Sequence, residues 1–288
     1  MSFAENGAWG QGNHRRKRVG LALGGGVVRG MAHVGVLSVL EEANIQIDFV
    51  SGTSTGAIVA ACFCAGMDSA QLKEYAWKFA WWRLLRPVWP VRGLVSFAKL
   101  TQLLIGKLGD QRIEDLKIPC VIATTDIERG EPVYLRQGPL GPAVQASCSV
   151  PGFVAPVEWQ GRWLAEGAIS DMLPAEILRQ MGADYVIGVD IFAFKIRHWL
   201  GPLGYLIAGL EIALERSGLG VDEVDCLIAP ALAGKTYLRF SRRDELFELG
   251  RQAAIIQLPT ILHDLGLENT TPTGSASVHV NCAQSVQN

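Results

Sequence analysis

Two short stretches hold the residues best suited to chemistry: Gly52-Thr53-Ser54-Thr55-Gly56 and Glu166-Gly167-Ala168. Gly-x-Ser-x-Gly sets a serine on a sharp turn from strand to helix, where side chains at Gly52 and Gly56 would strike neighbouring backbone. The helix that follows aims free N–H groups and its positive dipole end at the serine, so negative charge developing there is stabilised. The flanks suit such a turn, with apolar Ile45–Val50 before it and an Ala/Val-rich run after it. The bland alternative is an ordinary βα turn with a serine or threonine capping the helix.

A nucleophilic Ser54 needs a group to take its proton. The chain has five histidines, His14, His33, His198, His263 and His279. His14 and His279 fall in polar ends, and His33 sits inside the first predicted helix, where packing is its expected role. His198 and His263 follow suitable aspartates, so a Ser-Asp-His order is formally open. Neither lies in a glycine-framed turn at a strand end. The pattern therefore points to a carboxylate serving the serine directly. Glu166 ends a short apolar run and is followed by two small residues, which let its loop approach another closely; a surface hairpin with an incidental glutamate would read the same way.

A second glycine cluster, LALGGGVVRGMAHVGVL, also leaves a strand and enters a helix. A dinucleotide loop fits poorly, because Arg29 stands where the third glycine belongs and no acidic residue ends the second strand. A Walker loop has no match. The reading preferred is a nest of backbone N–H groups for an oxyanion. Gly25, Gly26, Val27 and Gly30 would form it, and Arg29 would orient the loop or contact a phosphate.

The elements that must position these stations alternate in type. Val19–Leu23, Ile47–Val50, Cys120–Thr124 and Tyr185–Asp190 read as buried strands, and helical spacing runs over Met31–Ala43 and from Ala57. That alternation predicts a mostly parallel sheet with helices on both faces. With 288 residues, 49% of them hydrophobic, the chain can bury a large core. The expected organisation is a flexible arm over 1–17, one α/β domain over 18–267, and a polar tail over 268–288. A net charge of −2 gives no electrostatic footprint for nucleic acid. The six cysteines show no paired metal spacing and sit mostly in apolar runs, which suits buried thiols in a reducing compartment. With no secretory pattern and no apolar run of spanning length, the expected location is cytoplasmic, including the inner face of a membrane.

One interior segment departs from the pattern. Between Tyr75 and Gly109 there is no acidic residue, while Lys78, Arg83, Arg86, Arg92, Lys99 and Lys107 recur beside Trp77, Trp81, Trp82 and Trp89. Such a segment over 75–109 is an insertion or cap. Its tryptophans and arginines are suited to an anionic membrane surface, or equally to a helical core with arginines reaching outwards.

Taken in order, these stretches resemble the patatin-like phospholipase family over about Val19 to Ala193. LALGGGVVRGMAHVGVL, SGTSTGAIVAA, IPCVIATTDIERGEPVYL and ASCSVPGFVAPVEWQGRWLAEGAISDMLPAEIL carry the likeness. The resemblance implies a three-layer α/β/α sandwich and hydrolysis of phospholipids or other acyl-ester lipids by a serine-carboxylate dyad, without metal or cofactor. Ser54 then matches the nucleophile, and Gly25, Gly26 and Val27 match the oxyanion loop. Two departures follow from it. Glu166 stands where the family has aspartate, which implies either a shifted loop or an impaired, purely binding protein. Val27 and Val28 stand where small residues are usual, which implies a narrower approach for substrate. Asp171 is expected to be a structural partner of the acid loop.

Overall fold

The computed structural model describes residues 15–77, 84–192, 201, 205, 208–209, 212–213, 221–232 and 243–268, the side chains of residues 27 and 77 excepted. Ten strands are seen among them. They are β1 (Val19–Leu23), β2 (Phe49–Thr53), β3 (Arg86–Pro87), β4 (Val95–Ser96), β5 (Cys120–Asp126), β6 (Glu131–Leu135), β7 (Val157–Trp159), β8 (Arg162–Glu166), β9 (Tyr185–Val189) and β10 (Cys226–Ile228). The helices are α1 (Met31–Glu42), α2 (Thr55–Cys64), α3 (Ser69–Trp77), α4 (Ala98–Leu108), α5 (Leu140–Ser147), α6 (Glu176–Gln180) and α7 (Arg243–Leu265).

The main sheet runs β10-β9-β1-β2-β5-β8-β7, with β6 also paired to β5. Its pairs from β10 to β5 are parallel, and those of β6, β7 and β8 are antiparallel. Side chains alternate across it as strand geometry requires. From β1, Val19, Leu21 and Leu23 enter the larger core while Ala22 enters the smaller one. Six helices, α1 to α5 and α7, supply the larger core, and Ile177 and Leu178 of α6 cover the opposite face. This is the three-layer sandwich, and burial on both faces explains why β1, β5 and β9 read as unbroken apolar runs. Helix α1 is buried from Met31 through Leu40 because it lies between the sheet and α7.

Three expectations change. The second strand is Phe49–Thr53, two or three residues later than the apolar run suggested. Its ladder continues to Leu23↔Gly52 and Thr53↔Ala123, since pairing uses backbone and does not need an apolar side chain at Gly52. Ile45 and Ile47 are buried in the connection instead. The arm, expected to reach residue 17, is anchored from Arg15 onwards. Arg15 pairs with Asp184 at 3.1 Å, Arg16 with Asp48 at 2.6 Å, and Lys17 donates to the Asp264 carbonyl at 2.8 Å. The basic segment divides. Leu84, Phe97, Leu100 and Leu104 are core residues, whereas the β3–β4 hairpin carries Arg86, Val88, Trp89 and Val91 on the surface. Trp81, Trp82 and Arg83 lie outside the described residues.

Candidate active site

Strand register delivers the two reactive side chains to one point. β2 and β8 pair with the same edge of β5, opposite β6, and they run towards each other along it. β2 stops with Thr53 opposite Ala123, and β8 stops with Glu166 opposite the next residue, Thr124. The turn after β2 therefore faces the end of β8. Ser54 Oγ donates to Glu166 Oε2 at 3.2 Å.

Ser54 holds φ 54° and ψ −120°, a conformation that costs a non-glycine residue about 1–3 kcal/mol and recurs where function requires strain. The surroundings over-determine it. A Cβ on Gly52 would sit 2.6 Å from the Gly56 carbonyl, and one on Gly56 would run into the carbonyls of Leu23 and Gly24. The Ser54 amide donates to Ser147 Oγ at 2.8 Å, and that hydroxyl donates to the Ala123 carbonyl at 2.6 Å. Ser147 is fully buried and its part in the site is absent from the sequence reading. The only hint was its place in ASCSVPG, where a polar residue ends an apolar helix.

Glu166 is fixed by its backbone. Its N–H donates to the Ser149 carbonyl at 2.9 Å, and Thr125 Oγ1 donates to its carbonyl at 2.8 Å. Gly167 lies against the Ala123 carbonyl, and Ala168 faces the first glycine loop. Burial pushes the Glu166 carboxyl up to about 8, and hydrogen bonds from Ser54 and the Ala168 N–H oppose that rise. Oε1 is buried with no protein partner. The Cys148 thiol touches this pair, and burial together with the Glu166 charge keeps it neutral. Asp171 is engaged elsewhere. Tyr134 donates to its Oδ2 at 2.7 Å, Thr53 Oγ1 donates to its carbonyl at 3.0 Å, and burial raises its carboxyl to about 6.

The first glycine loop closes the third side. A Cβ on Gly25 would lie 3.6 Å from Ser54 Cβ and 3.4 Å from Ala168 Cβ, so all three stations meet there. Gly30 presses against Thr55. The Gly25 N–H already donates to the Met172 carbonyl at 3.2 Å, so it is not a donor for an oxyanion. Beyond it, the 3-10 turn Val27–Arg29 begins with Gly26 as its cap, and the first amides of such a turn have no partner within it. Arg29 is 2% exposed and donates to the Ile191 carbonyl at 3.4 Å. That bond ties the loop to the backbone just beyond β9.

Neither His33 nor His263, the described histidines, joins the site. His33 is fully buried, its Nε2 lies 2.9 Å from the Gly24 carbonyl, and burial lowers its pKa to about 4. It braces the loop as a neutral ring. His263 pairs with Glu268 at 2.7 Å on an exposed helix end. His14, His198 and His279 lie outside the described residues.

Comparison with known proteins places the chain in a family. A family model described as patatin-like phospholipase matches residues 21–179. An uncharacterized NTE family protein of Mycobacterium tuberculosis is 37% identical over 184 residues, covering 60% of this chain and 49% of its own. The lysophospholipase nte1 of Aspergillus fumigatus is 34% identical over 181 residues, 61% of this chain and 12% of its own. The neuropathy target esterase sws of Drosophila melanogaster is 32% identical over 197 residues, 66% of this chain and 14% of its own. The chain thus spans about half the length of the mycobacterial relative and a small part of the other two. Among solved structures, VipD of Legionella pneumophila superposes with a TM-score of 0.61 at 15% identity, over 85% of this chain and 67% of its own, which is a likeness of fold.

Proposed function

The chain belongs to the patatin-like phospholipase family, and from that premise we propose that it hydrolyses acyl esters of lipids with Ser54 as nucleophile and Glu166 as its base. The observation that carries this reading is the 3.2 Å hydrogen bond from Ser54 Oγ to Glu166 Oε2 on a strained, fully braced turn. The extra methylene of glutamate is accommodated, since the carboxylate reaches the hydroxyl directly.

Ser54 Oγ attacks the ester carbonyl as Glu166 takes the hydroxyl proton. The oxyanion forms beside the loop, where the amides of Gly26, Val27 and Val28 are the donors. On collapse the C–O bond to the alcohol breaks, and Glu166 returns the proton to the leaving oxygen. Water then gives a proton to Glu166 and attacks the acyl-serine. Ser54 leaves, regaining that proton, and a fatty acid departs. The lipid classes in the relatives' names, lysophospholipase and esterase, support a phospholipid or other acyl-ester substrate.

The test is labelling by a fluorophosphonate together with turnover of p-nitrophenyl esters. Both are expected in the wild type and neither in Ser54→Ala; unchanged turnover in Ser54→Ala removes the assignment. A second reading, an impaired protein that only binds lipid or a partner, is favoured by one observation: burial holds Glu166 protonated up to about pH 8. Glu166→Asp separates the two, because a large gain in turnover reveals an impaired parent.

The protein's contact with lipid is proposed to be peripheral. Trp89 is 85% exposed and Val91 74%. Phe153 and Val150 are exposed nearby, and the Phe153 carbonyl accepts the amides of Leu94 and Val95 at 3.0 Å. The same loop leads back to Ser149 beside Glu166. Arg86 and Arg92 give this apolar rim the charge that anionic headgroups attract. Among the described residues no helix is long and apolar enough to cross a membrane. Sedimentation with anionic vesicles is expected to weaken in Trp89→Ala; equal sedimentation returns the hairpin to a purely structural role. Binding in Trp81→Ala/Trp82→Ala tests the expectation for those residues.

A further inference from the structure

The end of α5 holds both halves of the proposed dyad. Ser54 stands one residue past the last ladder pair, Thr53↔Ala123, so its N–H has left the strand pairing. Ser147 Oγ accepts it at 2.8 Å. Two residues further on, the Ser149 carbonyl accepts the Glu166 N–H at 2.9 Å. From this arrangement we propose that Ser147 is a positioning residue for the nucleophile: its hydroxyl fixes the peptide of Ser54, and with it the line from Ser54 Oγ to Glu166. The proposal rests on Ser54 being the nucleophile.

The Ser147 hydroxyl is used in both directions. It accepts the Ser54 N–H and donates to the Ala123 carbonyl at 2.6 Å. Alanine would supply neither bond, and a thiol would supply both weakly. The acid loop rests on the same carbonyl, because a Cβ on Gly167 would run into it. Nucleophile and base are thus measured from one main-chain group of β5, Ser54 through the Ser147 side chain and Glu166 through the glycine that follows it.

The frame behind this post is fixed. Ser147 and Ser149 are fully buried. Ser149 Oγ donates to the Gln145 carbonyl at 2.9 Å, and the Gln145 side chain accepts from Thr101 of α4 at 2.7 Å.

Strain gives the hydroxyl a kinetic role. Ser54 is held at φ 54° and ψ −120°. Gly52 and Gly56 set the path of the turn, and Ser147 sets the plane of the peptide inside it. Released from Ser147, that peptide relaxes towards less strained angles and Oγ swings away from Glu166. A misplacement of about 1 Å at a reacting atom costs about 100-fold in rate. The surfaces that bind substrate keep their shape, so the loss falls on kcat and leaves KM.

The test compares Ser147→Ala with Ser38→Ala. Ser38 of α1 is also buried and makes the same two kinds of bond, accepting from Arg251 at 2.7 Å and donating to the Gly35 carbonyl at 2.8 Å, with both partners outside the site. On p-nitrophenyl butyrate, kcat is expected to fall about tenfold or more in Ser147→Ala, with KM within about threefold of wild type. Fluorophosphonate labelling of Ser54 is expected to slow by a like factor. Ser38→Ala is expected to keep both within about twofold, whatever it costs in melting temperature. A folded Ser147→Ala that falls short of this loss, or a Ser38→Ala that matches it, overturns the proposal. Should Ser147→Ala not fold, Ser147→Cys, close in size, decides by the same criteria.

Crystal structures separate this proposal from the catalytic reading. The wild type is expected to show the bond from the Ser54 N–H to Ser147 Oγ, and the folded Ser147 variant to show Ser54 Oγ beyond hydrogen-bond reach of Glu166. That displacement supports the role of Ser147 even if the wild type turns over no ester, in which case the failure belongs to the assignment of Ser54. An unchanged Ser54–Glu166 pair in the variant overturns the proposal.

Discussion

The turns that leave β1 and β2 start from neighbouring parallel strands, and each enters a helix within a few residues. They are held in different ways. The turn after β2 is braced by itself: Gly52 and Gly56 cross without side chains, and Ser54 carries the positive φ between them. The turn after β1 is braced from outside. Val189 and Met172 accept its Gly24 and Gly25 amides, His33 meets the Gly24 carbonyl, and Arg29 holds the Ile191 carbonyl. Gly26 is simply extended, with φ 176°. The first design lifts one side chain out of the turn, and the second ties the loop down at both ends. They touch at Gly25 and Ser54 and again at Gly30 and Thr55. The proposed nucleophile and the loop proposed to hold its oxyanion are thus registered to each other through these contacts.

The largest effect expected on this comparison is Ser54→Ala, which removes the side chain the self-braced turn exists to present. Ester turnover should fall about a thousandfold or more, with melting little changed. Retained turnover breaks the comparison outright. Next is Glu166→Gln, which keeps the size of the side chain but cannot take a proton; a loss of about 100-fold to 10,000-fold is expected in the same assay.

The pH profile comes third. Glu166 must be ionised to act, so kcat/KM is expected to rise about tenfold per unit below about pH 8 and to level off above it. Because its native pKa is raised above the ordinary value of 4.5, its effect on stability has the opposite slope. The native state holds more protons than the unfolded chain between those values, so this group's contribution is fully present below about 4.5 and is lost as pH rises through about 8. Glu166→Gln should flatten both limbs; a wild-type profile flat from pH 6 to 9 argues against the buried base.

Glycine replacements then sharpen the contrast between the turns. Gly56→Ala drives a methyl into two main-chain carbonyls and should cost about 2–4 kcal/mol by denaturant unfolding. Gly25→Ala meets Met172 Sδ at 3.2 Å, a side-chain atom able to shift, so its stability cost should stay near 1 kcal/mol. Its methyl stands beside Ser54, and turnover should suffer more than stability. The reverse order would show that the first turn, and not the second, carries the tighter packing. The smallest effect expected is Asp171→Asn, within about threefold in turnover, because Asp171 faces Tyr134 and not Ser54.

Legibility followed the range of the interactions. The strand Val19–Leu23 and helix α1 could be read within a residue because a two-sided sheet and a sandwiched helix demand unbroken apolar runs. The elbow was readable because its constraint is local and needs glycines on both sides of Ser54. The end of β2 was misplaced because backbone pairing at Gly52 and Thr53 leaves no mark in hydrophobicity. Ser147 escaped notice since a buried serine is recognised only by its partners, Ser54 and Ala123, far away in the chain. The Gly25 amide looked available until Met172 was seen to accept it.

The sequence by itself determined the family and the layered α/β class and put forward Ser54 and Glu166 as the candidate pair, because those depend on local spacing and on residue types. Only the tertiary structure decided whether the two could meet, and that the Gly25 amide is already taken. Those answers depend on β2 and β8 ending one register step apart on β5, and on Met172 lying against the first glycine loop. Pairing register and loop contacts are set between segments tens of residues apart or more, which no local pattern encodes.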